Sequence, residues 1–278
     1  MNVRRPVLGL LLGLIVLASA RAGFAPETAT ASGAPLGLGL PGYTQTVTLP
    51  IEHAGEARSF VLHVPDGLLG PAPVVIALHG ANQTAGKMRG YTRFEELADE
   101  QGFVVAFGSG VQGTWNAGGC CRPKANDMAY LDALLAHLTD PVRSRTLIDP
   151  RRVFLTGFSN GGMMALRYAC ERSETVAAVA AVGATVVSPC APGSPVAVLD
   201  VHGEIDRVVP LAGGRNAAFM VDFPAVRPAL KPFKALAGDV RVRVVPGVGH
   251  GWMTRETMYY DATGAVWDWL RDHPRQRS

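Results

Sequence analysis

Five short runs, PVVIALHG, FVVAFGSG, VFLTGFS, AAVAAVGA and VAVLDVHG, are almost wholly apolar and end in glycine or another small residue. Helical patterns separate them: YTRFEELADEQG, NDMAYLDALLAHL, GGMMALRYACERS and, last, DATGAVWDWLRDH. A strand that is apolar at every position has both faces covered. Strands of that kind alternating with helices imply a mainly parallel α/β sheet with helices on both faces. In NDMAYLDALLAHL, Met128, Leu131, Leu135 and Leu138 fall at helical spacing. Before the first apolar run, YTQTVTL and RSFVLHV alternate polar and apolar residues, as an antiparallel opening pair would. After the last, VRVRVVPG closes the set.

The expected domain layout is a signal peptide over residues 1–22, a flexible linker over 23–42 and one catalytic domain over 43–278. Arg4 and Arg5 precede an apolar run from Val7 to Ala18, then small residues with Ala18-Ser19-Ala20 or Ala20-Arg21-Ala22 as the cleavage site. The run is shorter than the ~20 residues a membrane span needs. Export, to the periplasm or outside the cell, is therefore expected, without a membrane anchor after cleavage. The net charge of +3 falls to zero without Arg4, Arg5 and Arg21. No basic patch then argues for nucleic acid. The four cysteines, Cys120, Cys121, Cys170 and Cys190, suggest two disulfides in an exported chain, with three pairings open. Their spacing lacks paired C-x-x-C knuckles, so zinc is not expected.

Function enters at the ends of the strands, where sheets of this kind place their working residues. GFSNGG, residues 157–162, carries a G-x-S-x-G pattern between a strand-like RRVFLT and a helix-like MMALRYACE. That context suits a nucleophile mounted on a sharp elbow. The alternative is a tight turn whose serine caps a helix. Ser159 needs a base, and of the three histidines that follow it, His250 stands after a strand between glycines in VPGVGHGW. His202 ends a strand and is expected to serve structure. His273 lies in the polar tail and is expected in solvent. VLDVHGEIDRVVP offers Asp200, Glu204 and Asp206 as the acid. Asp206 is chosen because it stands on the loop past the strand, with Glu204 as the fallback. Asp200 lies inside the strand and would have to leave the core face.

The oxyanion that forms when a serine attacks a carbonyl needs two preorganised N–H donors. The amide of Asn160 follows the nucleophile, and LHGANQTAG supplies Ala81, with Gly80 as its neighbour. Gly80 is expected to take a backbone conformation closed to other residues. His79 is expected to support this loop by hydrogen bonds. Trp115 and Trp252 are the candidate substrate contacts, with core packing the alternative for Trp115. Met163 and Met164 are expected to fill the core.

Taken together, LHGANQTAG, TWNAGGCCRPKANDMAYLDALL, RRVFLTGFSNGGMMALRYACE, VHGEIDRVVP and GHGW resemble the polyhydroxybutyrate-depolymerase-like esterases. These are a secreted branch of the α/β-hydrolase fold related to feruloyl and acetylxylan esterases. The resemblance runs from about residue 58 to 270. It implies a Ser159, Asp206 and His250 triad, ester hydrolysis through an acyl-enzyme, and no metal or organic cofactor. It also places TWN near the cleft. The loop HGEIDRVVPL departs from the family's HGTxDxxVPY, and GWMT stands where Trp-Pro-Gly is common. The expected partner is a small, polymeric or polysaccharide-linked ester. A serine peptidase on the same fold and a non-catalytic hydrolase-like binding protein are the competing readings.

Overall fold

The computed structural model describes residues 41–49, 57–121, 124–217, 220–236 and 238–276. The expected signal peptide and all but the last residues of the expected linker lie outside the described residues. In chain order the elements are β1 (Tyr43–Leu49), β2 (Arg58–Val64), β3 (Ala72–Leu78), α1 (Ala85–Thr92), α2 (Phe94–Gln101), β4 (Val104–Gly108), α3 (Asp127–Thr139) and α4 (Pro141–Ser144). Next come β5 (Ile148–Phe158), α5 (Asn160–Glu171), β6 (Ala178–Val182), β7 (Ala197–Gly203), β8 (Gly214–Asn216) and β9 (Val221–Phe223). The chain continues through α6 (Val226–Ala229), α7 (Lys231–Ala235), β10 (Val240–Val245), α8 (Arg255–Met258) and α9 (Ala262–Asp272).

Eight strands form one sheet in the order β1-β2-β4-β3-β5-β6-β7-β10. β1 pairs antiparallel with β2, from Tyr43 opposite Val64 to Leu49 opposite Arg58, and β2 pairs antiparallel with β4. All pairings from β4 to β10 are parallel. The apolar runs are explained by their two faces. In β3, Val74, Ile76 and Leu78 join a core with Leu131 and Leu134 of α3 and Leu166 of α5. Val75 and Ala77 of the same strand face a second core with Met88, Phe94, Trp267 and Leu270. Each successive side chain of a strand points to the opposite face, so a strand between two cores must be apolar throughout. This is the mainly parallel α/β sheet, with helices on both faces, that the alternation of runs implied.

Two local expectations change. YTRFEELADEQG reads as one helix, but the chain breaks at Arg93, whose φ is 52°. Arg93 closes α1 by donating its N–H to the Arg89 carbonyl and at once begins α2. The inward face of α3 is Met128, Leu131, Leu134 and Leu138, with Leu135 only partly buried.

The cysteines pair as Cys170–Cys190 and Cys120–Cys121. The first ties the last turn of α5 to the loop after β6, and the second joins neighbours in the loop before α3. Among the described residues no helix is long and apolar enough to cross a membrane.

Candidate functional site

The sheet delivers Ser159 at the end of its central strand β5. Its backbone is held at φ 52° and ψ −121°, with its amide donating to the Val182 carbonyl at 2.8 Å. Left-handed backbone at a non-glycine residue persists only where its surroundings enforce it. The glycines on either side show how tightly they do. A Cβ on Gly157 would lie 2.4 Å from the Gly161 carbonyl carbon, and one on Gly161 would lie 2.3 Å from the Leu78 oxygen. The turn is therefore pressed against β3 as well as against its own helix.

The Ser159 hydroxyl does not cap α5. It lies 2.9 Å from Nε2 of His250, and Nδ1 of His250 lies 2.7 Å from Oδ2 of Asp206. An ionised carboxylate only accepts, so the Nδ1 proton goes to Asp206 and Nε2 is left to accept from the hydroxyl. Asp206 is buried, and its Oδ1 accepts from the amides of Val208 and Val209 at 2.8 and 2.9 Å. Burial pushes its carboxyl upward. The His250 hydrogen bond and charge, with the two amides, outweigh burial and hold it below the usual carboxylate value. Phe158 packs on the His250 ring, with centroids 4.9 Å apart. The structure thus brings Ser159, His250 and Asp206 into one hydrogen-bonded chain. Glu204 goes elsewhere: its Oε2 accepts from the Gly247 amide at 2.9 Å.

Asn160 and Ala81 both line the depression beside Ser159. Asn160 opens α5, where amides have no carbonyl within the helix to bind. The Gly80 amide already donates to Gln83 Oε1 at 3.1 Å, so it is not a free donor of this loop. The reason for glycine at 80 differs from the expected one. The left-handed residue of the loop is Asn82, at φ 57°, whereas a Cβ on Gly80 would meet Phe158 at 2.8 Å. His79 supports the loop as expected: Nδ1 donates to the Gly80 carbonyl at 2.8 Å and Nε2 accepts from the Gly110 amide at 3.0 Å. Burial lowers its pKa and so favours the neutral ring that this bonding requires.

Neither tryptophan touches the depression. Trp115 is wholly buried and donates Nε1–H to the His79 carbonyl at 2.8 Å. Its backbone exchanges hydrogen bonds with the Asn160 side chain, at 2.8 and 3.0 Å. It is a post beneath the loop that carries Ala81. Trp252 is also buried, against Tyr91 and Phe94, and donates to Thr263. The resemblance put TWN near the cleft, and TWN is near it, but the indole turns inward, where its ring and N–H both find partners.

The depression is instead lined by Cys120, Cys121, Met163, Val208, Val209 and Phe223, besides Ala81, Ser159 and Asn160. Met163 joins the core as expected and also forms part of this wall. Val208 and Val209 stand just after Asp206 in sequence, which could have suggested them. Phe223 comes from the β8–β9 hairpin, which carries no strong pattern. His273, expected in solvent, is half buried and donates to the Trp269 carbonyl at 2.7 Å at the end of α9.

Residues 69–250 match the family model described as phospholipase/carboxylesterase. "Putative esterase NocK" of Nocardia uniformis subsp. tsuyamanensis is 32% identical over 243 residues, covering 78% of this chain and 68% of the relative. Feruloyl esterase B of Piromyces equi is 29% identical over 169 residues, covering 56% of this chain and only 31% of the relative. Among solved structures, an S-formylglutathione hydrolase from Agrobacterium tumefaciens superposes with a TM-score of 0.60 at 16% identity, over 86% of this chain and 97% of that one. At that identity the likeness concerns the fold.

Proposed function

The chain belongs to the phospholipase/carboxylesterase family and is an esterase of the α/β-hydrolase type, and from that premise we propose that it is a secreted serine esterase working through an acyl-enzyme. The observation that carries the reading is the continuous Ser159–His250–Asp206 chain, with contacts of 2.9 and 2.7 Å.

In this reading His250 takes the Ser159 proton as Oγ attacks the ester carbonyl. The developing oxyanion is held by the amides of Asn160 and Ala81. The imidazolium, steadied by Asp206, then protonates the leaving alcohol. Water enters, gives its proton to His250 and attacks the acyl-serine, and the acid leaves as Ser159 recovers its proton.

The acyl group we propose is short, uncharged and apolar. The wall beside Ser159 is made of Val208, Val209, Met163, Phe223 and the Cys120–Cys121 bridge, with no charged side chain. This favours acetyl- to hydroxybutyryl-sized acids over a feruloyl acid. Export is supported by the leader-like N-terminus and by both disulfides, which persist in oxidising compartments.

The test is hydrolysis of p-nitrophenyl butyrate by the mature chain, beside Ser159→Ala. Activity that vanishes in the variant supports the reading. A folded but inactive wild type, or an equally active variant, overturns it. Acetylxylan, hydroxybutyrate and feruloyl esters then rank the substrates, with feruloyl expected last.

A further inference from the structure

Behind the triad acid lies a second acid–imidazole pair that the reaction above does not use. Asp200 and His202 share one face of β7, and both are wholly buried. Nδ1 of His202 lies 2.8 Å from Asp200 Oδ1, and its Nε2 lies 2.8 Å from the Val209 carbonyl. A carbonyl only accepts, so Nε2 must carry a proton. The Asp200 contact holds another, on Nδ1 or on the carboxyl. The pair therefore keeps one proton more than a neutral imidazole beside a free carboxylate.

The chemistry of each partner agrees. Burial pushes the Asp200 carboxyl upward, though His202 opposes it. Burial alone would lower His202, but the Asp200 hydrogen bond and charge, with the Val209 carbonyl, raise it. Both directions retain the proton. A buried ion pair seldom stabilises a fold more than apolar residues of the same volume. Stability is thus a poor reason for this one.

Its placement offers a better reason. Asp206 Oδ2 lies 2.7 Å from Nδ1 of His250 and 3.6 Å from Nε2 of His202. Two imidazoles thus lie near one carboxylate oxygen of Asp206. Val209 joins them again, since its amide donates to Asp206 Oδ1 and its carbonyl accepts from His202. The groups facing His202 are Asp200 on its own strand and Asp206 on the loop after it. From the neighbouring strands, register places Val244 of β10 beside it, while the loop after β6 brings the Ala184 backbone to Asp200. Among the described residues no lysine or arginine forms an ion pair with Asp200, His202 or Asp206.

We propose that the Asp200–His202 pair carries its extra proton on the imidazole and so positions and tempers the triad acid: it sets a positive ring 3.6 Å from Asp206 Oδ2, fixes the carboxylate through Val209, and limits how strongly Asp206 holds the His250 proton. His202 and Asp200 are positioning residues in this scheme, which rests on the triad reading above.

The sign follows from the geometry. Removing the positive charge of the His202 ring leaves Asp206 free to stabilise the His250 imidazolium more strongly. His250 should then deprotonate at higher pH, and the acid limb of kcat/KM should move the same way. Asp200→Asn is the cleaner variant. It keeps the shape, and its amide can donate to Nδ1 of a neutral His202 that still donates from Nε2. We expect the acid limb, and the His250 ring titration followed by NMR, to move up by about one pH unit. His202→Gln should shift both in the same direction.

A role in packing alone would lower the melting temperature and leave both titrations in place. Folded Asp200→Asn with an unmoved acid limb and an unmoved His250 titration overturns the proposal. Ser159→Ala run alongside separates the two readings. If hydrolysis survives that change, the triad reading fails, and the NMR titration then decides the Asp206–His202 coupling by itself.

Discussion

At the scale of single residues, the site depends on where protons are held more than on which groups are present. Asp206 keeps His250 in the tautomer whose Nε2 faces Ser159. Asp206→Asn would preserve volume but could donate to Nδ1, turning the Nε2 proton toward the serine. We expect kcat to fall on the order of 10⁴-fold, as loss of the correct tautomer does in other triads, with the fold retained by circular dichroism. The pH dependence of stability follows from the same carboxylate. Its folded value lies below its unfolded one, so its stabilisation is complete above the unfolded value, near 3.8, and fades as pH falls through the folded one. Denaturation midpoints of the wild type should therefore drop in that acid range, and those of Asp206→Asn should drop less. Gly161 sets a different limit. Its added Cβ would sit 2.3 Å from the Leu78 oxygen and 2.4 Å from that of His79, both backbone atoms that cannot swing aside. Gly161→Ala should cost about 1–3 kcal/mol in urea denaturation and displace the elbow from His250.

At the scale of elements, the working loops are held by neighbours that do no chemistry. The loop bearing Trp115 and Cys120–Cys121 is tied to α3 through Asp127, which accepts from the Asn116 amide and pairs with Arg58 at 2.6 Å. Arg58 in turn lies over the Tyr130 ring at 3.8 Å. Both ends of the ion pair are buried, so removing one strands the other. Asp127→Ala is expected to cost about 3–5 kcal/mol by thermal or urea unfolding. It should also weaken hydrolysis, because the segment carrying Trp115, which supports the loop that bears Ala81, loses its tie to α3. These ties explain what could be read from the chain and what could not. The parallel strands were legible because burial on two faces makes each a short continuous apolar run, and the turn residues and helical patterns between them set their ends. Ser159, Asp206 and His250 were legible because each follows a strand and carries a reactive group. The inward turn of Trp115 was not, because it is decided by the His79 carbonyl and the Asn160 side chain, 36 and 45 residues away. The break at Arg93 was hidden for the opposite reason. Its left-handed backbone is purely local, but arginine is not a residue whose presence announces such a turn.

At the scale of the whole molecule, the two bridges divide their tasks. Cys120–Cys121 closes no loop of chain, so it can restrict the unfolded state very little; it lies instead in the wall beside Ser159. Cys170–Cys190 spans a separation of 20 residues and joins α5, the helix that follows Ser159, to the loop after β6. Closing a loop of that length stabilises a fold by about 3 kcal/mol in the chain-entropy account. None of the residues lining the depression belongs to that bridge. Opening it should therefore weaken the fold without reshaping the site. For Cys170→Ala with Cys190→Ala we expect the urea midpoint to drop by the equivalent of about 3 kcal/mol, with KM for a short-chain ester unchanged at temperatures where the variant stays folded. Replacing Cys120 and Cys121 by alanine should do the reverse, leaving the midpoint nearly in place and raising KM as the wall is lost. The crossed comparison is the decisive one. Equal effects of the two pairs on stability, or equal effects on KM, would show that the bridges do not divide stability from substrate fit.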